Sequence, residues 1–123
     1  MINNYKIITK IGEYSMQKRV KEFNDYVKDV AHRKPMSASA RMLDISSELG
    51  ELAKEVLKNT KYGTKEFEIS DDFKLELGDV LYSLFSLADE VGVDSDECLD
   101  KVLMKYRARI DASGNMGSEG NDV

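Results

Sequence analysis

The sequence predicts an all-α protein, a four-helix bundle-like fold completed by homo-oligomerisation. Apolar residues recur at three- and four-residue spacing in four separate stretches. No stretch alternates apolar and polar residues as a strand would, and Gly, Pro and small polar residues punctuate the intervals. The length of 123 residues suits one domain. A chain this short hides less than about three quarters of its unfolded surface, a first reason to expect a second copy beside it.

The first helix is expected from about Ser15 to His32, with Met16, Val20, Phe23, Val27 and Val30 forming its stripe. Pro35 closes it or opens the next element, because proline is not tolerated in a helix interior. His32, the only histidine, reads as a helix-end residue. The second helix starts at Ser37 or Ser39 and runs to Asn59, with Met42, Ile45, Leu49, Leu52 and Val56 on one side. The polar stretch from Asn59 to Lys65 contains Gly63 and breaks the period, so it is a loop. Ser70 is an N-cap, with Asp71 and Asp72 placed where the helix dipole favours negative charge. The third helix runs from there to about Val91, and Gly92 suits its C-terminal cap. A fourth begins at Asp94 or Ser95 and ends near Ile110.

Residues 1–12 read as an N-terminal extension (a short strand or an extra turn), residues 13–111 as the helical domain, and residues 112–123 as a disordered tail. The third helix stands apart. Its apolar residues, from Phe73 and Leu75 through Leu84 to Val91, cover most of the circumference, the pattern of a buried helix. Four helices in one chain bury one face each, so the second apolar face points to a subunit interface. The duller reading is a central helix sandwiched by the other three.

Charge and cysteine content exclude several classes. The net charge is −5, from 23 acidic and 18 basic residues, without the basic excess that coating a nucleic acid requires. A divalent cation can still bridge an acidic protein to a nucleotide. Cys98 is the only cysteine, so neither an internal disulfide nor a Cys-based zinc site is expected, and it reads as a small packing residue. No apolar run approaches the roughly 18 to 20 residues of a membrane span, and the N-terminus has no secretory core. A cytoplasmic protein is the expectation.

The chemistry sits in two near-copies of one tetrapeptide, Glu48-Leu49-Gly50-Glu51 and Glu76-Leu77-Gly78-Asp79. Each acid pair is spaced i, i+3, one turn apart on one side of its helix. Both pairs border the apolar stripe of their helix, so packing the two helices brings four carboxylates to the edge of the core. Four such charges repel, and partial burial worsens the repulsion. A hard cation relieves it, and an oxygen-only ligand set suits Mg²⁺, with Mn²⁺ as a substitute. Gly50 and Gly78 each cost about 1 kcal/mol in a helix interior, which suggests close helix approach or room for a ligand. Other chemistries lack their parts. Ferritin-type di-iron sites need Glu-x-x-His pairs, hydrolase triads need a partnered histidine, and no phosphate loop of the G-x-x-x-x-G-K type is present.

The pattern E-x-x-E, a spacer from Leu52 to Leu75, then E-x-x-D resembles the signature of the MazG-like all-α nucleotide pyrophosphohydrolases. The surrounding text is similar too, from Ser46 to Glu55, from Leu75 to Tyr82, and in the basic segment Lys101 to Arg109. This resemblance implies cleavage of a nucleoside triphosphate to monophosphate and pyrophosphate, Mg²⁺ dependence, and a homodimer or homotetramer. It places the metal on Glu48, Glu51, Glu76 and Asp79. One departure is Tyr106, near which related sequences often carry an asparagine; it bears on base or sugar recognition.

Glu48 or Glu51 is expected to double as the base that orients the attacking water. Lys54, Lys105 and Arg109 are the expected contacts to the phosphates, ahead of Lys101 and Arg107. Tyr62 and Phe67 either meet the base or, the favoured reading, cover the core; His32 and Arg41 are further base candidates. Two other functions fit the same text. One is a non-enzymatic helical interaction module, and the other is an enzyme similar to phosphoribosyl-ATP pyrophosphohydrolase.

Overall fold

Ser15 opens the described chain, which comprises residues 15–117 of a computed structural model. Its hydroxyl accepts from the Lys18 amide and caps α1, Met16–Ala31, which ends where His32 adopts a left-handed conformation. The Ser37 hydroxyl accepts from the Ala40 amide at the start of α2, Ala38–Asn59. Ser70 caps α3, Asp71–Val91, through the Phe73 amide, and Gly92 closes it at φ 74°. The Asp94 carboxylate accepts from the amides of Asp96 and Glu97 to start α4, Ser95–Ser113. Four helices and no strand are present among the described residues. The fourth helix extends past Ile110 to Ser113, two residues into the segment expected to be a tail. The N-terminal extension, residues 1–12, and the last part of the tail lie outside the described residues.

The helices fall into two units, one ending at Gly92 and containing α1, α2 and α3, the other beginning at Val93 and containing α4. In the first unit α3 packs on both α2 and α1. Its apolar centre is small: Ile45, Val80 and Ala88 are the buried hydrophobic side chains among the described residues. Buried with them are three polar residues, Arg41, Ser83 and Ser86. The expectation of an α3 buried all round is not met within one chain, because Leu75, Leu77, Leu81 and Leu84 remain exposed. Cys98 is exposed as well, so it does not pack as expected.

The α2–α3 connection turns through three successive residues of positive φ, Lys61, Tyr62 and Gly63. The Thr60 hydroxyl holds this turn by accepting from the Gly63 amide at 3.1 Å. Tyr62, 81% exposed, does not cover the core. Phe67 is exposed too, its ring edge-on to Phe73 with centroids 5.0 Å apart. The Asn59 amide donates to the Ser70 hydroxyl at 3.1 Å and pins the end of α2 to the start of α3. No helix among the described residues is long and apolar enough to cross a membrane.

Candidate metal centre

α2 and α3 run antiparallel, so a step up one helix matches a step down the other. That geometry sets Glu48 of α2 against Glu76 and Asp79 of α3. Each of the three offers a carboxylate oxygen within 4.8 Å of the other two, the one such group among the described residues. Opposite ligands of Mg²⁺ stand about 4.2 Å apart, twice the usual metal–oxygen distance, so small side-chain adjustments bring all three onto one cation. Glu48 and Glu76 are half-buried and Asp79 is exposed.

Electrostatics agree with the geometry. Partial burial, then the charge of Asp79, pushes the Glu48 carboxyl above its ordinary value, with Asp44, Glu76 and Glu51 adding to it. Glu76 is raised by the same two causes, burial first and Asp79 second, followed by Glu51 and its other acidic neighbours. Both shifts mean that bringing these carboxylates together in their ionised form is costly. No ion pair within the described residues involves any of the four expected acids.

Glu51, one turn beyond Glu48, is exposed and is not a member of the trio, although its charge is felt by Glu48 and Glu76. Nothing lies within 4 Å of a Cβ built on Gly50 or Gly78, so close approach of this chain's own helices is not why glycine stands there. Lys54 is exposed on α2. Lys105 and Arg109 belong to the second unit. There the Lys105 ammonium lies 5.2 Å from the centre of the Tyr106 ring, and Arg109 Nη1 donates to the Met116 carbonyl at 3.0 Å.

Glu48 and Asp79 also line a cleft of about 680 Å³ that continues between α1, α2 and α3. Its far wall is a network built on Arg41, 8% exposed. Arg41 donates through Nε and Nη2 to Glu90, the shortest contact being 2.8 Å, and through Nη1 to Asp44 Oδ2 at 3.0 Å. These bonds, with Glu90 the largest influence, raise its pKa further above the ordinary arginine value. The Ser83 hydroxyl donates to the same Asp44 oxygen at 2.7 Å. On the α1 side, Tyr82 donates to the Asn24 side-chain oxygen, whose amide donates to Ser86.

Sequence reasoning missed two features here. Lys28, Arg33 and Lys34 line the cleft that holds Glu48 and Asp79; three cations just ahead of Pro35 were the available signal. Arg41, an expected base contact, is instead committed to two carboxylates. That pairing left no local trace, since Glu90 lies 49 positions away.

Residues 36–112, more than half of the chain, match the model of the MazG nucleotide pyrophosphohydrolase domain. The chain belongs to the MazG family. The MazG match takes in all four acids on α2 and α3 and leaves α1 outside. A relative in Bacillus subtilis (strain 168), named only as the uncharacterized protein YpjD, is 40% identical over 76 residues, 59% of this chain and 67% of the relative. No solved structure matches the chain. A MazG domain with an acidic trio suited to a divalent cation is thus in place, and its cleft is walled partly by α1.

Proposed function

We propose that the protein is a Mg²⁺-dependent nucleoside triphosphate pyrophosphohydrolase that cleaves (d)NTPs to (d)NMP and pyrophosphate, house-cleaning the cytoplasmic nucleotide pool. The observation that carries this reading is the meeting of Glu48, Glu76 and Asp79 inside a MazG domain, with no cation among the described residues paired to them. Their fit to a hard divalent ion rests on the all-oxygen donor set and on the raised Glu48 and Glu76 carboxyls. Glu51 completes the ligand set by a change of rotamer or stays outside it. When bound, the ion supplies neutralisation of the phosphate charge and a bound water of lowered pKa.

The chain's own groups supply the rest. Glu48 or Glu51 accepts the proton of the attacking water; Glu51, outside the trio and exposed, is the freer of the two. Lys54, on the helix of Glu51, faces the departing pyrophosphate, and Lys28, Arg33 and Lys34 offset the remaining phosphate charge from the cleft wall. Lys105 and Arg109 keep a phosphate role on the strength of the sequence resemblance. Self-association through the exposed leucines of α3, as a dimer or tetramer, covers apolar surface that a single chain leaves in water.

The test is pyrophosphate release from a panel of dNTPs and NTPs, with phosphoribosyl-ATP included, for the wild type and for Glu51→Gln and Asp79→Asn. Folded variants that hydrolyse every substrate at the wild-type rate with Mg²⁺ would overturn the assignment.

A further inference from the structure

The cleft network and the acidic trio share one geometric rule. Moving one turn back along α2, from Glu48 to Asp44, corresponds to moving one turn forward along α3, from Asp79 to Ser83. The Glu48–Asp79 approach and the Asp44–Ser83 hydrogen bond of 2.7 Å are therefore neighbouring rungs of one ladder. A second cross-helix tie lies beyond it, where Arg41 of α2 grips Glu90 of α3 through two nitrogens. Arg41 Nη1 also donates to Asp44 Oδ2, the oxygen that Ser83 uses, so the two ties are joined.

Apolar packing gives little help in setting this register. The leucines nearest the acids, Leu49 at 50% and Leu77 at 39%, are substantially exposed, and three hydrophobic side chains are buried among the described residues. Burial of apolar surface is also non-directional, whereas a short hydrogen bond tolerates little slide or rotation. Metal ligands have to be held to within about 0.5 Å of their working geometry.

We propose that Ser83, Asp44 and Arg41 are positioning residues for the acidic trio. The Asp44–Ser83 bond sets the slide of α2 along α3 that places Glu48 and Asp79 within reach of one cation, and Arg41, anchored on Glu90, holds Asp44 in the rotamer that accepts that bond. This rests on the reading of the trio as a divalent-cation site. It adds that the site's geometry is set one turn away by residues that touch no ligand.

The experiment measures Mn²⁺ binding to the full chain by calorimetry, well below the melting temperature, beside thermal melting. Ser83→Ala is expected to stay folded and bind Mn²⁺ about 10-fold more weakly, the lower end of what outer-shell changes cost. Ser83→Thr, which keeps the hydroxyl, restores the affinity. Ser83→Cys, close in size but a much poorer donor, carries the same expectation as alanine and covers the case in which the alanine variant unfolds. Ser86→Ala removes a fully buried hydroxyl that bonds α1 instead of α2. It is expected to lower the melting temperature while leaving Mn²⁺ affinity unchanged. Wild-type affinity in Ser83→Ala and Ser83→Cys overturns the positioning role and leaves the cation site standing; equal weakening in Ser86→Ala overturns it too, by showing general loosening. A wild type that binds no Mn²⁺ overturns both.

Discussion

Asp44 and Glu48 are the same kind of group, one turn apart on one helix, yet they sit in opposite circumstances. Asp44 accepts from Arg41 and Ser83, and with Glu90 it belongs to a network that contains its own cation. Glu48 meets Glu76 and Asp79 with no cation among the described residues paired to any of them. Both groups lie on the same helix pair, so fold and register are common to them and only the source of positive charge differs. The closed group uses an internal guanidinium to tie helices together. The open group leaves room for a charge from outside, and partial burial together with the neighbouring acids holds the Glu48 and Glu76 carboxyls above their ordinary value.

If that contrast is right, neutralising the two groups has different consequences. The largest expected effect is on activity. Glu48→Gln or Asp79→Asn removes a ligand of the proposed cation, whose contribution to phosphoryl chemistry is several kcal/mol, so kcat/KM for the preferred dNTP falls about a thousand-fold. Both variants remain folded by circular dichroism. A loss smaller than tenfold in either would remove the distinction between the open and closed groups.

Next in size is the closed group. Arg41→Met strands two carboxylates without their cation, and breaking a buried pair in this way costs about 3 kcal/mol. Urea unfolding with an unchanged m-value should show it. If Arg41→Met costs less than about 1 kcal/mol, the network is weakly coupled to the fold, and the contrast with the acidic trio loses one side. A slightly smaller effect comes from the ion itself. Mg²⁺ at a hundred times its dissociation constant is expected to stabilise the wild type by about 2.7 kcal/mol over EDTA. In Glu76→Gln that gain shrinks sharply, whereas in Ser86→Ala, which removes a hydroxyl bonded to α1, it persists.

Local features of the fold were readable from the sequence and distant ones were not. Ser15, Ser37, Ser70 and Asp94 each cap a helix by bonding an amide two or three residues on, so the signal and the contact lie in the same few letters. Gly92 and His32 end helices for an equally local reason, the left-handed conformation each adopts. The acid pairs were legible through helical period, which puts each pair on one side of its helix but does not tell that Glu51 stays out of the trio. Arg41 was read as a candidate base contact because its partner Glu90 is nearly fifty residues away. The leucines of α3 were read as buried from periodicity alone. Periodicity counts apolar faces; it does not tell whether the covering surface comes from the same chain.

The subtlest way to test the contrast uses pH. The folded chain holds protons on Glu48 and Glu76 more tightly than the unfolded chain does, since both carboxyls lie above the ordinary value of 4.5. In the absence of metal, these two groups therefore favour the fold at acid pH, and their contribution is lost as pH rises through the folded values. Glu48→Gln, which carries no charge at any pH, escapes that loss. In EDTA its melting temperature should gain on the wild type as pH rises above the ordinary carboxylate range. With saturating Mg²⁺ the order inverts over the same rise in pH, because deprotonation then creates ligands and the wild type gains. Asp44→Asn gives no such inversion, since it weakens the tie to Arg41 and Ser83 with metal or without. Parallel melting curves for Glu48→Gln and wild type in EDTA would mean that the three carboxylates do not feel one another, and the case for an external cation would lose its electrostatic half.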